Sequence, residues 1–442
     1  MKNKPLLKRF LEFVLPSVEG MLMFSLCTIV DGIFVGRGVG FDGLSSVNIS
    51  MPYITLLFAL AMLLSMGGLT ATTFYLGKGE EVIANKRFSM TIGVALFFGL
   101  SIAIFSYLNL DSLVKILDSG GLVSEYVKDY VGVIAIFSPF FILTYAFELM
   151  IKADGHPRFG FRLMALSALS NVVMDYIFVI LWEKGVRGAA IATGISQAIP
   201  TVIYFIHFLS SNSKLKFVIP EIRIKSIAKT WVFGIPMALT ELSVGFITFI
   251  YNHNLMKHGG TKELAAFSIA MYLLSLTTNA MVAVCQGANP LISYSFGKND
   301  QQRLKVLKRM LFACIAVLSI FAFGLVQILS ENIVLAFIDD YTKDFLDYAS
   351  SAIRAFSTAF LVLGFNVAIG GYSTAIQKPA IELSTTIMRG YIASYISIVV
   401  VAGWDVAKLR YALFFSEAFT LLFMLALIFG VRALRKSKTQ IF

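Results

Sequence analysis

FSMTIGVALFFGLSIAIFSYL, residues 88–108, contains no charged side chain. Wound as a helix at about 1.5 Å per residue, it reaches roughly 31 Å, the thickness of a bilayer's hydrocarbon core. This stretch is a membrane span. Working outward, similar apolar runs separated by polar loops give spans near 10–36, 47–76, 126–151, 159–182 and 188–210. A second set follows near 229–256, 264–296, 310–329, 345–376, 380–402 and 409–431. Twelve spans use up the 442 residues and leave no room for a large soluble domain. Composition agrees: 57% of residues are hydrophobic, 14% are charged and the mean hydropathy is +0.79. A soluble chain carries about 25% charge. The fold class is therefore an all-α integral membrane protein. A porin-type barrel would instead alternate polar and apolar residues at every second position.

The net charge of +11 would suggest nucleic acid in a soluble chain, but its distribution argues otherwise. With Arg162, Lys229 and Arg389 counted to the adjoining loops, 26 of the 37 Lys and Arg fall at the termini or in even-numbered loops. Basic loops stay on the cytoplasmic side, so both termini are expected there. Acids collect on the other side, most densely at Asp339, Asp340, Asp344 and Asp347. The excess charge is a topology signal with anionic lipid as its neighbour, and no nucleic-acid partner is expected. Cys27, Cys285 and Cys314 sit in apolar runs without a CxxC, which suggests neither disulfides nor a zinc site. No cleavable signal precedes the first span. His207, His253 and His258 fall near helix ends and His156 in a loop, none with metal-ligand spacing along the chain.

The chain repeats itself. Pro16 and Pro236 each open a span, and the offset between them recurs: LSSVNIS (44–50) matches LAAFSIA (264–270), and YLGKG (75–79) matches SFGKN (295–299), in the same register. GHP (155–157) faces QKP (377–379) almost in that register. The most hydrophilic connection, around 210–229, lies at the midpoint. It divides the chain into an N-lobe at 1–210, a cytoplasmic linker at 211–228 and a C-lobe at 229–442. An even number of spans per copy makes the copies run in the same direction, as in parallel-repeat transporters.

Charged residues inside the spans are few: Glu19, Asp31, Glu148, Asp175, Glu241, Arg354 and Glu417. Each costs at least about 2.5–3.5 kcal/mol at a helix centre, so each should face a cavity or a partner. Asn171 and Asp175 are one i,i+4 step apart and share a face. With Asp31 in span 1 and Thr193 in span 6, they form an oxygen-rich set suited to a hard cation. Alternatively, one of two facing carboxyls holds a proton at neutral pH. Pro16 is a weak point in the hydrogen-bond ladder of span 1. The plainer reading pairs Asp31 with Arg37 near the surface and uses Asn171 and Asp175 as helix ties. Glu241 is a secondary candidate, with an interhelical hydrogen bond as its alternative. Glu19 could line a cavity or pair with Arg354, and Glu148 suggests a surface pair with Lys152; Glu417 has no motif around it. GRGVG (36–40) is a turn rather than a phosphate loop, and no Walker, HExxH or GxSxG motif is present.

VDGIFVGRGVG, LSSVNIS, KADGHPRFGFRLMALSALSNVVMDYIF, KGVRGAAIATGISQ, GIPMALTE, CQGANPLISYSFG and GGYSTAIQKP together resemble the multidrug and toxic compound extrusion (MATE) family over nearly the whole chain. The resemblance implies twelve helices in two six-helix lobes that rock between inward- and outward-open states. It implies a secondary active antiporter, not an enzyme. Organic, often cationic compounds would leave across the plasma membrane against inward H+ or Na+. In the prokaryotic proton- or sodium-coupled branch it carries a cation-coupling site to Asp31, Asn171, Asp175 and Thr193, with Pro16 as the bending residue. Other branches use C-lobe acids. Glu241 resembles one of these, but the span 10 region AFLVLGFNVA has no acid. No cofactor is expected beyond the coupling ion, no metal beyond Na+ at that site, and a monomer is the simplest assembly. The alternative function is a flippase for a lipid-linked precursor.

Overall fold

A computed structural model describes residues 5–117, 123–220, 224–258, 261–337, 342–404 and 406–439, and among them every regular element is helical. Lys2, Lys4, Arg223, Asp339 and Asp340 lie outside the described residues. The first half comprises α1 (Leu6–Gly38), α2 (Phe41–Lys78), α3 (Glu81–Leu108), a short α4 (Leu110–Leu117), α5 (Ser124–Ala153), α6 (Pro157–Asp175) and α7 (Gly185–Leu209). Between α6 and α7 the chain continues as a π-helical turn, Tyr176–Leu181. The short α8 (Ile224–Trp231) leads into α9 (Ile235–His258), α10 (Thr261–Gly297) and α11 (Gln301–Phe337). Then come α12 (Lys343–Ser357), α13 (Phe360–Ala375), α14 (Pro379–Ile387), α15 (Ala393–Trp404) and α16 (Ala412–Thr439). A π turn, Met388–Ile392, joins α14 to α15, and a 3-10 turn, Val406–Tyr411, precedes α16.

Beyond α1, eleven segments among the described residues are long and apolar enough to cross a membrane. Their bounds follow the apolar runs closely. Three starts depart from them: α3 begins at Glu81 rather than near 88, α9 at Ile235 rather than near 229, and α11, the most displaced, at Gln301 rather than near 310. The first turns of α11, QQRLKVLKRM, are good helix formers, so the helix extends beyond the apolar stretch.

The repeat is written in the backbone. Gly79 has φ +80 and its counterpart Asn299 has φ +58; Gly155 has φ +94 and its counterpart Gln377 has φ +62. Both halves thus end the same two helices with a left-handed residue, and only the first half uses glycine for it. Pro157 and Pro379 then occupy the opening turn of equivalent helices, and each of those helices passes into a π turn.

The chain packs as two compact units, Met1–Glu241 with Gln286–Leu304, and Leu242–Cys285 with Lys305–Phe442. Within the first unit the end of α10 lies against α2 at another repeated pair. A Cβ on Gly77 would overlap the Tyr294 carbonyl, and one on its counterpart Gly297 would overlap the Phe74 carbonyl and stand 3.2 Å from the Gly77 Cα. Small residues at a helix crossing let backbones approach this closely. Gly77→Val should therefore lower stability by about 1–3 kcal/mol, with the thermal midpoint of the purified protein as the measurement. An unchanged midpoint would mean that the crossing simply relaxes.

The segment after α7 is pinned down. Asp154, in the turn between α5 and α6, is fully buried, and its Oδ1 accepts from Ser213 Oγ (3.1 Å) and from the backbone N–H groups of Lys214 (2.7 Å) and Leu215 (3.0 Å). Asn85 Oδ1 takes the Lys216 N–H (3.0 Å) and Ser89 Oγ the Val218 N–H (2.9 Å). Side-chain acceptors thus satisfy a backbone that has no ladder of its own. Burial pushes the Asp154 carboxyl up, but its bonds to His207, Leu215 and Lys214 and the nearby His156 outweigh this and hold it below the ordinary carboxylate range.

Candidate functional site

Asp31, Asn171, Asp175 and Thr193 converge within the first unit from α1, α6 and α7. Thr193 stands on GAAIATG, whose small residues bring α7 close to its neighbours. A Cβ at Gly194 would collide with the Phe137 ring, and Ala189, Ala190 and Ala192 are fully buried. The Thr193 hydroxyl donates to the Ala189 carbonyl (2.9 Å) and accepts from Asn171 Nδ2 (3.4 Å). Asn171 Oδ1 in turn accepts from the Cys27 thiol (2.9 Å), so one polar chain links the three helices.

Beside that chain lie the two acids. Their carboxyl groups come within hydrogen-bonding reach of each other. Asp175 is fully buried, and among the described residues neither of its oxygens, nor Asp31 Oδ1, meets an N–H or O–H donor. No ion pair joins Asp31 to Arg37 among the described residues, and Arg37 is exposed. Two facing carboxyls in an apolar surround cannot both keep a bare negative charge; a proton or a cation must stand between them. Tyr130 stands near both acids and belongs to a buried apolar cluster with Val35, Val131, Val179 and Val186. Asp31 is only half-buried, which leaves a side from which an ion could arrive.

The π turn starts immediately after Asp175. The Trp182 N–H reaches back to the Ile177 carbonyl (2.8 Å) in place of the usual i−4 partner, and such local unwinding is frequent at functional sites. Gly38, the last residue of α1, packs where a Cβ would strike Val179 in this turn. GRGVG is therefore mostly helix, and only Gly40, with φ +87, is a left-handed turn residue. Pro16 is buried inside α1, about 22 Å along the helix from Asp31.

Two members of the site were not singled out from the sequence. Cys27 precedes Asp31 by one i,i+4 step, so its face was readable. Tyr130, close enough to both aspartates to feel their charge, comes from α5 and carries no local signal. Glu241 stands elsewhere, near Tyr145, whose hydroxyl accepts from Gln286 Nε2 (2.9 Å).

Several expected partners change. Glu148 and Lys152 do pair, but with side-chain exposures of only 7% and 4% the pair is buried rather than superficial. Arg354 meets Ser330 and Glu331 (3.3 Å), while Glu19 lines a cavity of about 650 Å³ beside Arg158 and Arg162. Arg389, counted among the loop cations, lies in the π turn inside a span. Its Nε is 3.5 Å from Glu417 Oε1, and Glu417 also accepts from Asn366 Nδ2 (2.7 Å), the amide in the acid-free stretch of span 10. The histidines differ most from expectation, since folding brings Asp154, His156 and His207 together although their spacing along the chain does not.

The MatE family model matches residues 16–177 and again 236–401, two segments that begin at the repeated prolines Pro16 and Pro236. The chain belongs to the MATE family. Among its curated relatives, the Multidrug export protein MepA of Staphylococcus haemolyticus is 25% identical over 84% of this chain and 81% of its own length. MepA of Staphylococcus aureus is 22% identical over 98% and 95%. A solved MATE structure in complex with MaL6 superimposes with a TM-score of 0.89 over 97% of each chain at 18% identity, which shows the shared fold. The protein is thus a MATE-family membrane transporter with the all-helical, two-lobe fold of that family.

Proposed function

We propose that this MATE transporter is a secondary active multidrug exporter, moving organic, often cationic compounds out of the cell by antiport against inward H+ or Na+. The observation that carries the reading is the facing Asp31–Asp175 pair, two carboxyls that no N–H or O–H donor among the described residues separates. Its relatives' names supply the class of cargo. The ion enters from outside, settles between the two acids with Asn171 and Thr193 as further oxygen ligands, and removes their mutual repulsion. α1 then bends at Pro16, where the backbone lacks one hydrogen bond, and the substrate leaves. On the cytoplasmic side the ion departs and the site is recharged by the next substrate. Each charge moved down a 100 mV potential supplies about 2.3 kcal/mol, enough for roughly fiftyfold accumulation. The protein resides in the plasma membrane as a monomer with both termini cytoplasmic.

Ethidium export from proteoliposomes tests this, with sodium and proton gradients imposed separately at matched potential. Export driven by either gradient is the expected result and names the ion. Absence of export under both would overturn the multidrug reading in favour of a flippase for a lipid-linked precursor.

A further inference from the structure

Away from the coupling site, the turn between α5 and α6 and the last turn of α7 hold a second convergence of titratable groups. We propose that Asp154, His156 and His207 form a binding site for a divalent transition-metal ion, zinc foremost. Asp154 Oδ2 is 3.0 Å from His156 Nδ1 and 2.9 Å from His207 Nε2, and the three ligand atoms all lie within 4.8 Å of one another. An ion with bonds of about 2.0–2.1 Å places tetrahedral ligands roughly 3.3–3.4 Å apart, so Asp154 Oδ2 need only draw back a few tenths of an ångström from each imidazole, while the two imidazole nitrogens, now within 4.8 Å of each other, settle at that same spacing. Two imidazoles and one carboxylate are a donor set that zinc favours over magnesium or calcium, leaving a fourth position for water.

Around the ligands the support is already built. The other Asp154 oxygen is fixed by Ser213 and by the N–H groups of Lys214 and Leu215, which aims Oδ2 at the histidines and keeps the carboxyl ionised. His207 is 12% exposed and packed between the rings of Phe159 (5.2 Å) and Phe208 (5.3 Å). His156, 39% exposed, provides the way in. The site lies about 21 Å along α7 from Thr193, separate from the coupling pair. A bound ion would tie together the α5–α6 turn, the end of α7 and the pinned segment that follows it. The competing account is a metal-free staple in which both imidazoles donate to Asp154.

Purified, chelator-treated full-length protein distinguishes the two. Zinc should raise the thermal midpoint, by about 2–4 °C at roughly a hundredfold excess over its Kd, whereas magnesium and calcium should not. Cobalt(II) should give the intense visible bands of a tetrahedral site. His207→Gln, whose amide can still donate to Asp154, and His156→Asn should each abolish the zinc shift and the cobalt bands without unfolding the protein. No midpoint shift with zinc, or a shift that persists in both variants, would overturn the proposal and leave the staple.

Discussion

Asp175→Asn should uncouple export while leaving the protein at least as stable as wild type. Asparagine preserves the shape of the side chain, but it cannot carry the charge that the driving ion must neutralise. Ion-driven ethidium accumulation should fall by the full coupling factor, about 5–150-fold on the usual scale of linked sites. Stability should move the other way. Asp175 is buried and neither of its oxygens has a donor among the described residues, so an amide N–H₂ in its place can donate to Asp31. One such bond contributes about 0.5–1.5 kcal/mol. Asp31→Asn should behave alike. Lost export with an unchanged or raised thermal midpoint marks a site kept at the expense of stability. Lost export together with unfolding would instead make the pair structural.

Lys152→Met should be the most damaging single change to stability. Lys152 and Glu148 form an i,i+4 ion pair with almost no exposure on either side, so removing the cation strands a carboxylate in the interior. Breaking such a pair costs about 3–5 kcal/mol, whereas replacing both partners with groups of similar volume is often neutral. The double variant Glu148→Gln/Lys152→Met should therefore recover most of what the single one loses. Thermal unfolding of the three proteins in detergent measures this directly. Equal midpoints for wild type and Lys152→Met would show that water reaches the pair.

The spans were legible because lipid demands long uncharged helices, and residues 88–108 satisfy that demand without any tertiary information. The duplication was legible for a different reason: a left-handed helix end fixes the chain's path, and Gly79/Asn299 and Gly155/Gln377 keep that path even where the residue type changes. Asp31, Asn171, Asp175 and Thr193 could be picked out as polar groups inside apolar helices, and the family pattern grouped them. Tyr130 could not, since a tyrosine in an apolar helix is unremarkable until a neighbouring helix brings carboxyls to it.

Arg389 reads as a loop cation because its partner, Glu417, belongs to a different helix, and only the pair makes a cation tolerable inside a span. The histidine cluster leaves no mark in the sequence for a similar reason. His207 lies on another helix, far along the chain from the turn it meets, and Asp154 joins them by anchoring backbone, a task that leaves no spacing rule in the sequence.

The most direct test of the central claim is ion release by the purified protein when substrate binds. Ethidium added to detergent-solubilised wild type, in weakly buffered medium for protons or after sodium-22 loading for sodium, should displace the coupling ion in proportion to the ethidium bound. Asp31→Asn and Asp175→Asn should bind ethidium and release nothing. Wild-type release from both variants would contradict the assignment and place the coupling ion elsewhere in the transporter.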